Sequence, residues 1–144
     1  MGILITGGSG FLGQALTERL LAKGLKIYSL SRHPPEPRGN LIPLFGDITK
    51  PLLGLMETPR DIHAVHHLAA IHKLGEDWDG SIWQTNVQGT ENVIDFCLRN
   101  KIRHLYFTSS AYTQEETRTS GQRLWARRWS KAPGFQLSPS SSHP

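Results

Sequence analysis

The sequence has 144 residues, 38% of them hydrophobic, which is enough for one domain around one core. A single cysteine, Cys97, excludes an internal disulfide; with no apolar run near the roughly 20 residues of a membrane span and no basic leader, the expected setting is the cytoplasm, with no membrane partner. The net charge of +4 lies at one end, because residues 1–116 hold 11 Lys+Arg against all 12 acids while residues 117–144 hold five cations and no acid, so the domain itself presents no basic face for nucleic acid.

The first element is the apolar run Ile3-Leu4-Ile5, read as a buried strand. It breaks at Thr6-Gly7-Gly8-Ser9-Gly10, and an amphipathic run opens at Phe11. Strand, glycine turn and helix form the context of a phosphate cradle. The turn brings backbone close to a diphosphate, and the helix N-terminus presents free N–H groups and a partial positive charge. Gly8, Gly10 and Gly13 match the G-x-G-x-x-G spacing. The early glycines permit the tight turn, and Gly13, one turn into the helix, keeps the helix close to the strand. Phe11, Leu12, Ala15, Leu16, Leu20 and Leu21 recur at helical spacing, and Gly24 is the expected stop.

Residues Leu25 to Ser31 alternate as a second strand. A nicotinamide-dinucleotide site usually places an acid there, about 20 residues past the glycines, to accept from the ribose 2′-OH. This chain has Ser31, Arg32 and His33 instead, with no acid until Glu36. A hydroxyl and a guanidinium suit a 2′-phosphate, so NADP is favoured over NAD. The alternative reading of Arg32 is a solvated loop cation.

Pro34 to Gly39 is a loop, Leu41 to Phe45 a short third strand closed by Gly46-Asp47-Ile48-Thr49, and Pro51 to Glu57 a short helix. Ile62 to Leu68 is the fourth strand, followed by Ala69-Ala70. After a loop with Gly75, Trp78, Asp79 and Gly80 comes the longest helical pattern, from an N-cap at Ser81 to Arg99. Trp83, Val87, Thr90, Val93, Ile94, Cys97 and Leu98 mark its inner face, and Asn100 suits a left-handed end. Ile102 to Thr108 is the fifth strand, followed by Ser109-Ser110-Ala111. This alternation predicts an α/β fold, a Rossmann-like doubly wound parallel sheet in the order 3-2-1-4-5. The cofactor would cross the carboxyl ends of the strands at the switch between strands 1 and 4. His66, His67 and His72 do not make a metal site, since neighbours on a strand face opposite ways and no cysteine or acid completes a tetrahedral set. Cys97 falls on the apolar stripe and reads as core, not as a nucleophile.

Five motifs in order, Thr6-Gly7-Gly8-Ser9-Gly10-Phe11-Leu12-Gly13, Gly46-Asp47-Ile48-Thr49, His67-Leu68-Ala69-Ala70, Asn86-Val87-Gln88-Gly89-Thr90 and Phe107-Thr108-Ser109-Ser110-Ala111, carry a resemblance. The chain resembles the N-terminal half of an extended short-chain dehydrogenase/reductase, the NAD(P)-dependent epimerase/dehydratase family, from Gly2 to about Thr113. The resemblance implies a diphosphate site at the glycine turn, with Thr6, Gly7, Gly8, Ser9, Gly10, Phe11, Leu12 and Gly13 against the cofactor. It implies adenine contacts from Asp47 and Ile48, and a ribose and nicotinamide wall from Leu68, Ala69 and Ala70. It implies Asn86 on the nicotinamide side and Ser110, with Ser109 beside it, as the catalytic serine that bonds the substrate oxygen. The residues alone leave Asp47 as a turn cap and Ser109-Ser110 as a strand end open as alternatives.

The family's chemistry also needs a tyrosine with a lysine four residues later, the lysine lowering the tyrosine's pKa. Here Tyr28, Tyr106 and Tyr112 are followed at that distance by Arg32, Ser110 and Glu116. The sixth strand and the substrate domain of the family have no counterpart. Residues 1–113 therefore read as an incomplete dinucleotide-binding domain and 114–144 as a basic Ser/Pro-rich, poorly ordered tail. The expected function is that of an NAD(P)-binding fragment of an oxidoreductase, epimerase or dehydratase that acts by hydride transfer on a sugar, sterol or alcohol, inactive alone. A small-molecule substrate belongs to the complete enzyme only. The alternative is a non-catalytic NADP(H)-binding sensor or interaction module. A third reading, the tail as a hook for lipid or DNA, rests only on Arg127-Arg128 between Trp125 and Trp129. A sheet ending at strand 5 leaves an open edge suited to self-association.

Overall fold

The computed structural model describes residues 1–72 and 77–108. The expected readings of Gly75, Ser109, Ser110, Ala111, Tyr112 and the tail from 114 lie outside them. Five parallel strands form one sheet in the order β3-β2-β1-β4-β5. They are β1 (Gly2–Thr6), β2 (Lys26–Ser31), β3 (Leu41–Phe45), β4 (Ile62–His67) and β5 (His104–Phe107). The central strand β1 is buried at all five positions and pairs with β2 on one side and β4 on the other. A strand covered on both faces reads as a continuous apolar run, as Ile3-Leu4-Ile5 does.

Two cores result, one on each face. Helix α1 (Phe11–Ala22) lays Leu16, Leu20 and Leu21 on Ile3, Ile5, Ile27, Leu41 and Ala64. On the other face, α2 (Ser81–Trp83), a π-helical segment (Gln84–Gln88) and α3 (Gly89–Arg99) follow one another without a break in helical backbone. There Val93, Ile94, Phe96 and Cys97 pack on Leu4, Leu30, Val65 and Leu105. The Cys97 thiol is fully buried, and burial pushes its pKa up to about 12.

Several expected details are corrected. The buried stripe of α1 is centred on Gly13 and Thr17, so Phe11, at 95% exposure, and Leu12 turn outward. Helix α1 ends as expected at Gly24, whose φ is +75°, and the Leu25 N–H returns to the Leu20 carbonyl, so β2 starts at Lys26. Pro51 to Glu57 is not a helix. Only Pro51–Gly54 makes a 3-10 turn, with Leu52 and Leu53 left-handed at φ +52° and +60°. The long helix buries Phe96 in place of Leu98, because its stripe centres on Val93, and Trp83 is exposed. The π-helical segment breaks the 3.6-residue period by which Trp83 was placed on that face. Ser81 is the first helical residue and not the cap. Asp77 accepts from the N–H groups of Ile82 and Trp83 through its two carboxylate oxygens, at 2.9 and 2.8 Å. At the other end Asn100 stays at φ −92° and donates its side-chain amide to the Phe96 carbonyl, and Lys101 takes the left-handed position at φ +56°. The fourth strand stops at His67, and the fifth is shorter than expected at both ends.

Candidate cofactor site

A cleft of about 270 Å³ opens at the carboxyl ends of the strands, where the chain turns to opposite faces after β1 and β4. The turn after β1 contributes Gly7, Ser9 and Gly10. The end of β2 contributes Leu30, Ser31 and Arg32, and the loop after β3 contributes Gly46, Asp47, Ile48 and Thr49. Leu68, Ala69, Ala70 and Ile71 form the far wall after β4, with Thr85 from the π-helical segment at its end.

The turn after β1 has no room for side chains at two positions. Gly7 sits at φ +74°, and a Cβ there would lie 2.6 Å from the Ala69 nitrogen. A Cβ on Gly13 would collide with the Gly7 carbonyl oxygen and come within 2.7 Å of the Gly8 Cα. Gly13 thus guards the turn itself rather than the helix-to-strand distance. The left-handed residue is Gly7, outside the G-x-G-x-x-G spacing, while the nearest neighbour facing Gly8 is the Ser29 hydroxyl, at the end of a side chain. The first helical bond of α1 runs from Gln14 N–H to the Gly10 carbonyl, so the amides of residues 11–13 have no acceptor within the helix. No acid lies in that first turn, and the Gln14 side chain ties back to the Ser9 carbonyl at 2.9 Å. This is a backbone cradle with positive polarity, and it fits a diphosphate.

Ser31 and Arg32 flank one end of the cleft. The Ser31 oxygen accepts from His33 N–H at 3.1 Å, leaving its own proton to donate. Arg32 is exposed and has no carboxylate partner among the described residues. Asp47 caps a turn and also stands in the lining. One carboxylate oxygen accepts from Thr49 N–H and O–H, at 2.9 and 2.8 Å, and closes the turn. The other makes no bond to a described residue, and the side chain stands in the lining.

Ten of the sequence-derived residues line the cleft, and six others described here do not. Thr6 is fully buried beneath the turn, and Gly8 and Gly13 shape it from behind. Phe11 and Leu12 are exposed and outside the lining, which leaves their backbone amides as candidates. Asn86 holds the wall: its side chain donates to the Ile71 carbonyl and accepts from the Ile71 N–H, both at 2.8 Å. Sequence reading missed Leu30, Gly46, Thr49, Ile71 and Thr85 as lining. Gly46 and Thr49 are the ends of a quoted motif, but nothing in the spacing marks Thr85, which the π-helical segment brings in. His66 and His67 do take opposite faces. His66 stacks on Tyr106 with ring centroids 4.5 Å apart, and burial lowers its pKa; His67 is bonded between Thr6 of β1 and Thr90 of α3.

A glycine cradle at the switch point of a doubly wound parallel sheet defines a Rossmann dinucleotide-binding domain. The family model described as NAD dependent epimerase/dehydratase matches residues 3–124, and the chain belongs to that family. A 2-alkyl-3-oxoalkanoate reductase from Stenotrophomonas maltophilia is 37% identical over 112 residues, covering 76% of this chain and 33% of that protein. The Bordetella bronchiseptica enzyme WbmG, solved in complex with NAD, is 29% identical at a TM-score of 0.63, over 77% of this chain and 38% of that one. A short-chain dehydrogenase/reductase superfamily protein from Agrobacterium tumefaciens, solved with bound NAD, shares the fold at a TM-score of 0.75 and 20% identity, over 95% and 47%. The chain thus spans about a third to a half of the length of these relatives.

Proposed function

We propose that this domain binds NADP(H) across the cleft and is the cofactor-holding part of an enzyme that transfers a hydride to or from a carbon of a sugar, sterol or alcohol. The observation that carries the cofactor choice is Arg32, a guanidinium with no carboxylate partner among the described residues, next to the Ser31 hydroxyl at the end of β2. That pair suits a phosphate dianion and gives a bare ribose 2′-OH no carboxylate to bond. The turn at Gly7–Gly10 and the amides of residues 11–13 would hold the diphosphate. Asp47 and Ile48 would take the adenine, and Leu68, Ala69 and Ala70 would leave room for ribose and nicotinamide. The bound nicotinamide supplies or accepts the hydride. In this reading Ser110 bonds the substrate oxygen, and residues 1–113 alone do not turn over, because no tyrosine here is followed four residues later by a lysine. That same absence favours a second reading, a non-catalytic NADP(H) sensor. The outer edge of β5, beyond which no described strand lies, is the surface read for association with a second copy.

Calorimetric titration of the full chain with NADP+ and NAD+ tests the cofactor choice. NADP+ is expected to bind at least about tenfold more tightly, and Arg32→Ala to erase that preference while leaving NAD+ affinity unchanged, as loss of one charge-assisted bond of about 1.5–3 kcal/mol requires. Equal affinity for both cofactors in the wild type would overturn it.

A further inference from the structure

His67 is 1% exposed, yet both of its ring nitrogens are bonded. Nδ1 lies 2.7 Å from the Thr6 hydroxyl and Nε2 lies 3.0 Å from the Thr90 hydroxyl. The Thr90 oxygen lies 2.7 Å from the Asn86 backbone carbonyl, which can only accept. A hydroxyl has one proton to give. Thr90 gives its proton to Asn86, so its oxygen accepts from His67 and the ring proton is on Nε2. Nδ1 is then a lone pair, and Thr6 donates to it. The Thr6 oxygen in turn accepts from Ala69 N–H at 3.4 Å. At the far end, the Asn86 side chain grips both backbone groups of Ile71. The relay therefore begins and ends on the same wall of the cleft, and passes under the glycine turn between.

We propose that His67 is a positioning residue for the cofactor site: as the neutral Nε2–H tautomer, it fixes the Thr6-Gly7 turn against the Leu68–Ile71 wall. This rests on the reading that the cleft holds a nicotinamide dinucleotide. His67 acts through Thr6 and Asn86, and neither it nor Thr6 nor Thr90 lines the cleft. Among the described residues, the groups that bond or stack on the ring are Thr6 from β1, Thr90 from α3 and Phe107 from β5, its ring centroid 5.7 Å away, and none of them is ionisable. A protonated ring would turn an Nδ1–H toward Thr6 and leave the Thr6 proton without its acceptor. The neutral form is therefore part of the geometry.

Two measurements on the full chain test this. A long-range proton–nitrogen NMR spectrum at neutral pH is expected to show His67 as the Nε2–H tautomer. Cofactor affinity and melting temperature are then compared for His67→Asn, which keeps an acceptor toward Thr6, His67→Gln, which keeps a donor toward Thr90, and His67→Phe, which keeps neither. The phenylalanine variant is expected to bind NADP+ at least about tenfold more weakly, with asparagine restoring affinity more than glutamine does. A purely structural ring would lower the melting temperature in all three without separating their affinities. The Nδ1–H tautomer, or unchanged affinity in a folded phenylalanine variant, overturns the proposal. If that variant does not fold, the tautomer and the asparagine–glutamine contrast decide. Wild-type protein that binds neither dinucleotide refutes the cofactor reading instead, whereas the wrong tautomer in a protein that binds refutes this inference alone.

Discussion

Gly10 and Gly13 share one motif but do different work. A Cβ on Gly10 would meet its nearest atom, the Gly7 carbonyl oxygen, at an ordinary 3.5 Å, whereas one on Gly13 has no room at all. Gly13→Ala is therefore expected to destabilise the fold by about 1–3 kcal/mol, as overpacking at rigid backbone does, and to abolish cofactor binding with it. Gly10→Ala is expected to melt near the wild-type temperature yet bind cofactor more weakly, because its methyl would stand in the cradle. Thermal melts with and without NADP+ separate the two. The importance of Gly13 was legible in the sequence because spacing alone places it one turn into the helix. The role of Gly7 was not, because a positive φ leaves no mark beyond glycine itself, and Gly8 offered an equally good match. Thr6 was legible only as a neighbour of the turn, since its partner His67 lies 61 residues away.

Among the elements, the helical run from Ser81 to Arg99 departs most from its sequence pattern. Its period was sound at 90, 93, 94 and 97, failed at Leu98, which is exposed while Phe96 is buried, and failed before Gly89 because a π-helical segment shifts every preceding residue around the axis. The start signal was misread by four residues, since a serine beside the first turn outranks a more distant aspartate in any local rule. Asp77→Ala is expected to cost about 1 kcal/mol, the usual loss for a cap, measured as a lower urea midpoint. Ser81→Ala is expected to cost much less, because the Ser81 hydroxyl bonds the Asp79 side chain and not the helix N–H groups. The turn at Pro51–Gly54 was illegible for a related reason: two leucines favour helix, but here they are bent left-handed so that Leu53 is fully buried and its carbonyl accepts from Asp47 N–H at 2.8 Å. That bond places the Asp47 loop in the cleft.

For the molecule as a whole, the strand order was legible because five short apolar runs alternating with helical patterns admit few right-handed parallel arrangements. Its response to acid was not, since it depends on what surrounds one ring. Burial holds His67 down to a pKa of about 4, from 6.5. Between those values the unfolded chain carries a proton on this ring that the folded chain does not, so each step down in pH favours unfolding. Stability is expected to fall by about 3 kcal/mol from pH 7 to pH 4 through this residue, and the half-buried His66 adds to the loss in the same direction. Asp61, held at about 2 by the Tyr28 and Lys26 side chains, acts only in more acid solution, between its ordinary 3.8 and that value. Urea midpoints across this range check the prediction, and His67→Asn is expected to flatten the slope. The central strand also sets a timetable. β1 leaves the ribosome first, but β4, which pairs with it from Gly2 through Thr6, follows about 60 residues later. Until then one side of this fully buried strand has no partner, and closing so long a loop costs chain entropy before the pairing rewards it. The stretch between them is synthesised with Ile3, Leu4 and Ile5 half covered, the interval in which a chaperone has something to hold.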